Sequence, residues 1–181
     1  MTSPLSLTVP CASGDRLQLE FVFREGRYRQ TISLTGPTGI LLDQWEDTSE
    51  SPDEDWPASP PIQQLSLESI QDRPTLLGVG QAGKSHWSIS VEMLEGDTGE
   101  ALRFDVACRV RSLPTWLGTT YRRTDAVASQ PAKLGLANES TEVNAAPDSL
   151  TCVCTIKPES VTKYPATFRW SYRITHPSPL L

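Results

Sequence analysis

No apolar run in these 181 residues approaches the ~18 needed for a membrane-crossing helix, so a helical span is excluded. Helical periodicity is nearly absent, and 15 prolines disfavour long helices further. The opening MTSPLSLTVP has neither a basic start nor a sustained apolar stretch. No secretory signal is read there, and a cytoplasmic location is expected. Basic residues are missing altogether between Arg29 and Arg73, a gap that holds nine carboxylates from Asp43 to Asp72. With a net charge of −6 and a pI near 4.9, the chain repels phosphate backbones, and no nucleic-acid partner is expected. Asp53-Glu54-Asp55 lacks the turn glycine of an EF-hand loop, so calcium is not expected there.

Enough is present for a globular core. Hydrophobic residues make up 38% of the chain, and a chain of this length buries a core without disulfide or metal staples. One β domain over residues 1–181 is expected. It is interrupted by an acidic, proline-rich loop at 46–61 and a polar linker or excursion at 125–149. A short helix is expected within that excursion, around Ala132–Ala137. Charge is uneven: residues 1–100 carry 6 basic and 16 acidic side chains, and residues 101–181 carry 10 and 6.

Alternation at period two marks the strands. Leu17, Leu19, Phe21 and Phe23 share a face in Arg16–Arg24, and Glu25-Gly26 turns the chain into Tyr28–Leu34. Ile40–Trp45, Ile62–Ser69 and Thr75–Gly80 follow as shorter strands. Ser85–Leu94 sets Trp87, Ile89, Val91 and Met93 against His86, Ser88, Ser90 and Glu92. Leu102–Arg111 is the clearest strand, with Leu102, Phe104, Val106, Cys108 and Val110 on one face. Leu117–Arg123, Ser149–Lys157 and Thr167–Thr175 complete the set. One buried and one wet face per strand is the mark of antiparallel sheets.

About ten sequential antiparallel strands form a meander, and closure hides the edges of a meander best. By strand count and order the chain resembles the calycins, the lipocalins and fatty-acid-binding proteins. The resemblance implies an all-β, up-and-down barrel of about 8–10 strands with a ligand in its mouth or interior. No Gly-x-Trp motif accompanies it, so it assigns no residue role. A two-sheet β-sandwich accounts for the same alternation.

Gly78 to Ser85, GVGQAGKS, fits the phosphate-loop pattern G-x-x-x-x-G-K-[ST]. Such a loop needs a helix starting at the lysine, so that its N-terminal dipole meets the phosphates. HWSISVEML follows instead, which is strand-forming, so a glycine-rich hairpin turn is expected and no nucleotide cofactor. Cys152-Val-Cys154 lacks the spacing of a zinc knuckle, and no metal is expected. Cys108, Cys152 and Cys154 are read as small core hydrophobes, with a disulfide to Cys108 as the lesser reading. His176 is read as solvated.

His86 opens a polar face with Ser88 and Ser90, and neighbouring strands can bring Asp105 and Arg109 alongside. A Ser-His-Asp arrangement can be drawn there, but no nucleophile elbow is present. Trp45, Trp56 and Trp116 are read at loop edges beside Asp, Pro and Thr, as ring-stacking groups or as plugs at the ends of a barrel. The candidate ligand-binding set is therefore Trp45, Trp56, His86, Arg109 and Trp116. The expected function is non-enzymatic binding of a small apolar or amphipathic ligand. Protein interaction through the acidic loop is the alternative, and an enzyme site around His86 the second.

Overall fold

The computed structural model describes residues 4–48, 54–95, 100–138, 143–145, 151–155 and 163–176. Its strands are β1 (Leu5–Pro10), β2 (Arg16–Arg24), β3 (Arg27–Thr35), β4 (Leu41–Asp47), β5 (Ile62–Ile70), β6 (Arg73–Ala82) and β7 (Ser85–Leu94). They continue as β8 (Ala101–Val110), β9 (Gly118–Arg123), β10 (Gly135–Asn138), β11 (Val143–Ala145), β12 (Thr151–Thr155) and β13 (Ala166–Thr175). No helix among the described residues is long and apolar enough to cross a membrane.

The strands form two antiparallel sheets, ordered β1-β2-β3-β4-β9-β12-β11 and β10-β13-β8-β7-β6-β5. Neither closes on itself, so the calycin-like barrel is overturned and the architecture is the two-sheet sandwich. The physical reason lies at β4. A meander would pair β4 with β5, yet β4 pairs with β9 and the chain crosses to the second sheet. The crossing is held by backbone surrogates: the Ser59 hydroxyl donates to the Thr120 carbonyl at 3.0 Å and accepts from the Thr120 N–H at 3.1 Å. Pro57, Pro60 and Pro61 are buried beside it. What looks in sequence like a solvated acidic loop is, over its described residues, a strap between the sheets.

The centre of the second sheet follows from simple alternation. β8 buries Leu102, Phe104, Val106, Cys108 and Val110 and turns Arg103, Asp105, Ala107 and Arg109 outward. Its neighbours repeat the pattern in register, so Ile89, Val106 and Trp170 form one inward row and Val91, Phe104 and Tyr172 the next. Aromatic rings fill the space between the sheets. Phe104 stacks on Tyr172 at 4.7 Å, Trp87 meets Trp170 edge-on at 5.9 Å, and Tyr121 of the first sheet reaches both Phe104 and Tyr172. The Tyr121 hydroxyl lies 2.8 Å from that of Tyr172 and donates to Gln30 Oε1 at 2.9 Å, which carries a polar chain through the core. The interior is thus occupied where a calycin would hold its ligand.

The excursion at 125–149 also differs from expectation. Residues 131–134 are irregular and β10 begins at Gly135, so the helix around Ala132–Ala137 does not form. The segment is tied down from below. Asp43, fully buried, accepts from Arg123 Nε at 2.8 Å and from the Lys133 and Leu134 N–H groups, while Arg123 Nη1 donates to the Gln130 carbonyl. β1 and β11 went unread in sequence and β10 was read as part of that helix; all three pair at a sheet edge.

Candidate functional site

The outer face of the second sheet carries the chemistry that the sequence places there. Register sets His86 opposite both Gln81 and Arg109, Arg109 opposite Thr167, and Ala107 opposite both Ser88 and Arg169. Small side chains therefore line the middle of this face and long cationic ones flank it. The result is an open groove of about 500 Å³, whose lining includes His86, Ser88, Arg109, Thr167 and Arg169. No carboxylate lines it, and no ion pair to His86, Arg109 or Arg169 occurs among the described residues. The next row along the face is different. Arg103 bonds Glu92 at 3.1 Å and Asp105 at 3.5 Å, and Ser171 donates to Asp105.

This arrangement does not assemble a catalytic triad. Asp105 stands opposite Ser90 and is engaged by Ser171, while the cross-strand neighbours of His86 are Gln81 and Arg109. An imidazole flanked by an amide and a guanidinium has no acid to orient it as a base. The groove presents the hydrogen-bond donors of His86, Arg109 and Arg169 on one face.

Of the five residues singled out from sequence, only His86 and Arg109 come together. Trp45 is not at a loop edge: it lies inward on β4, 5% exposed, with its ring 6.3 Å from Tyr121. Trp56 packs partly buried against the core from the strap. Trp116 is half-buried between β8 and β9, with its indole N–H enclosed and without a partner. None of the three tryptophans lines the groove. Arg169 was legible only as a polar-face residue of its strand; the β8–β13 register brings it to the site.

The glycines of GVGQAGKS have steric duties. A methyl group at Gly80 would overlap the Pro61 carbonyl, and one at Gly78 would come within 2.7 Å of Ile62 and 2.8 Å of Ile89. Gly83 (φ +52°) and Lys84 make the two-residue turn between β6 and β7. Lys84 is exposed and Ser85 starts a strand, so no helix N-terminus faces this loop. The hairpin expectation is met.

A second cluster of ionisable groups sits where the two sheets meet. The β1–β2 turn, closed by Cys11 N–H to Asp15 O (2.9 Å) and Gly14 N–H to Cys11 O (2.8 Å), supplies Cys11 and Asp15. Glu100 precedes β8 and His176 follows β13, beyond the last pair of their ladder, Ala101 with Thr175. His176 is not solvated: its side chain is 10% exposed, with Nε2 3.2 Å from Asp15 Oδ2. Burial, reinforced by Glu100, pushes the Cys11 thiol up to about 11. Burial alone pushes Cys108 up to about 12, in keeping with an inert core thiol. Cys152 and Cys154 fall on β12 opposite Tyr121 and Thr119; the expectation for their thiols lies outside the described residues.

Two buried groups beside β3 complete the electrostatics. Asp47 accepts from Arg29 Nε at 3.1 Å and from the Gln30 N–H at 3.2 Å, yet burial outweighs both and raises its carboxyl to about 6. Burial, followed by repulsion from Arg29, lowers the Arg27 guanidinium from its ordinary value. Of the acidic run read from sequence, Asp43 and Asp47 are thus interior ion-pair partners.

A scan against protein-family models found none that matches, and searches of curated proteins and of solved structures returned no match.

Proposed function

We propose that the chain is a β-sandwich binding module that holds a small amphipathic anion, a carboxylate above all, on the outer face of its second sheet. The observation that carries this reading is the groove itself. His86, Arg109 and Arg169 line one concavity, free of carboxylates, in a protein whose net charge is −6. Guanidinium groups recognise carboxylates in bidentate fashion. Val79, 49% exposed on the same lining, offers apolar contact to the rest of the ligand. Both the filled interior and the cationic groove favour an external anion over an enclosed apolar ligand.

Titration calorimetry against aliphatic and aromatic carboxylates, with matched amines as controls, tests the reading. Carboxylates bind the native protein, amines do not, and Arg109→Ala or Arg169→Ala weakens binding about tenfold, the worth of one charge-assisted hydrogen bond. Equal binding of carboxylates and amines, or unchanged affinity in both variants, would refute it.

Protein interaction remains the second reading, moved from the acidic loop to β5. That strand is the outer edge of its sheet, and it exposes Leu67 (45%) and Ile70 (43%). An open edge with apolar side chains accepts an added strand from a partner protein. Charge substitution at Leu67 abolishes co-elution with such a partner and leaves carboxylate binding intact; retained co-elution counts against the edge.

A further inference from the structure

We propose that Cys11, Glu100 and His176 form a binding site for zinc or a similar borderline divalent ion, with Asp15 holding the histidine ring. One donor atom from each of the three lies within 4.8 Å of the other two. Zinc bonds of ~2.0–2.3 Å in a tetrahedron place ligand atoms roughly 3.3–3.8 Å apart, so closure needs movements of about 1 Å. The donors are a thiol, an imidazole and a carboxylate, each an ordinary zinc ligand. Sulfur and nitrogen argue against magnesium and calcium, which take oxygen.

The surroundings fit the second half of the proposal as well. Metal-bound histidines pass their other ring nitrogen to a carboxylate or carbonyl, which fixes the tautomer. Asp15 Oδ2 already stands 3.2 Å from His176 Nε2, while Asp15 falls outside the group of mutually close donors. The ligands come from the β1–β2 turn of one sheet and from the ends of β8 and β13 in the other. A bound ion would therefore clip the two sheets together. Three protein ligands leave a fourth position for water. Binding releases the thiol proton to solvent.

The local alternative is an Asp15–His176 ion pair, with Glu100 accepting from the Ala12 N–H and the Cys11 thiol donating to the Val9 carbonyl, and no metal. Full-length protein, reduced and stripped with a chelator, is titrated with Co²⁺ and Zn²⁺ to separate the two. We expect one equivalent of either ion and a thiolate-to-cobalt charge-transfer band in the near ultraviolet. Cys11→Ser abolishes the band, His176→Gln weakens binding at least tenfold, and Asp15→Asn weakens it about 10- to 100-fold. Metal-free thermal unfolding checks that each variant folds. Should Cys11→Ser fail that check, Glu100→Gln, in a half-exposed position, tests the site by affinity: at least tenfold weaker uptake supports it and unchanged uptake overturns it. No stoichiometric uptake at micromolar metal overturns the site. So does a band that persists in Cys11→Ser, since it assigns the metal to another cysteine.

Discussion

Gly80→Ala separates the hairpin from the phosphate-loop reading by a wide margin. The added methyl overlaps the Pro61 carbonyl oxygen and sits 2.8 Å from its carbon and 3.1 Å from Ile62 Cα. All three are backbone atoms at the start of β5, so no side chain can swing aside. Gly80 does not occupy the left-handed region, and alanine would gain about 0.4–1 kcal/mol by stiffening the unfolded chain. Overpacking at such a site costs about 3 kcal/mol, so the clash prevails and the net loss is about 2–3 kcal/mol. For a domain of this size each kcal/mol moves Tm by about 2–4 °C, so Tm drops by roughly 4–12 °C. Lys84→Ala removes an exposed turn residue and shifts stability by less than about 0.5 kcal/mol. Differential scanning calorimetry on both variants reads the outcome. A Gly80→Ala protein as stable as the native chain, or a Lys84→Ala protein less stable than Gly80→Ala, would refute the reasoning.

Three further outcomes follow from the buried polar groups. Asp47 binds its proton more tightly when folded (about 6) than the ordinary 3.8, so its contribution to stability is whole below pH ~4 and lost as pH rises through ~6. The loss is about 3 kcal/mol; urea melts from pH 4 to 7 show it in the native protein, and Asp47→Asn flattens that part of the slope. Asp43→Ala leaves Arg123 buried without its counter-ion and costs about 3–5 kcal/mol, and it frees residues 125–134 to proteolysis, read by mass spectrometry of the fragments. Tyr121→Phe strips Gln30 Oε1 of its donor while Gln30 Nε2 already lacks a partner, at a cost of about 1–3 kcal/mol in chemical denaturation.

Period-two alternation was enough to locate the long strands, because each has one face in the core. Leu102 to Val110 could be assigned residue by residue, and so could the polar face that brings His86 and Arg109 together. Sheet order was not legible. Alternation says which face is buried and nothing about which strand lies alongside, so the β4–β9 pairing was missed and closure was expected in its place. Trp45 was misplaced for a related reason: its acidic neighbour Asp47 looks solvated in sequence, whereas an ion pair with Arg29 takes it inside. The Cys11 cluster left no signal at all. Positions 11, 15, 100 and 176 share no spacing, and only the β8–β13 register sets Glu100 beside His176.

The seam between β4 and β9 also governs how the molecule is assembled in time. β1 to β4 and β5 to β8 are each chains of adjacent hairpins, whose closing loops are short and whose entropy of formation is small. Asp47 meets Tyr121 only after every residue between them has been laid down. Local pairing is therefore expected to build two four-stranded units first, with the first sheet incomplete until β9 reaches β4. Until that moment the inner edge of β4 is bare, and an unpaired edge is where one nascent copy can capture another. Substitutions in β9, such as Thr119→Ala, are expected to accelerate unfolding and leave the folding rate nearly unchanged; an equal slowing of folding would place the seam in the nucleus instead.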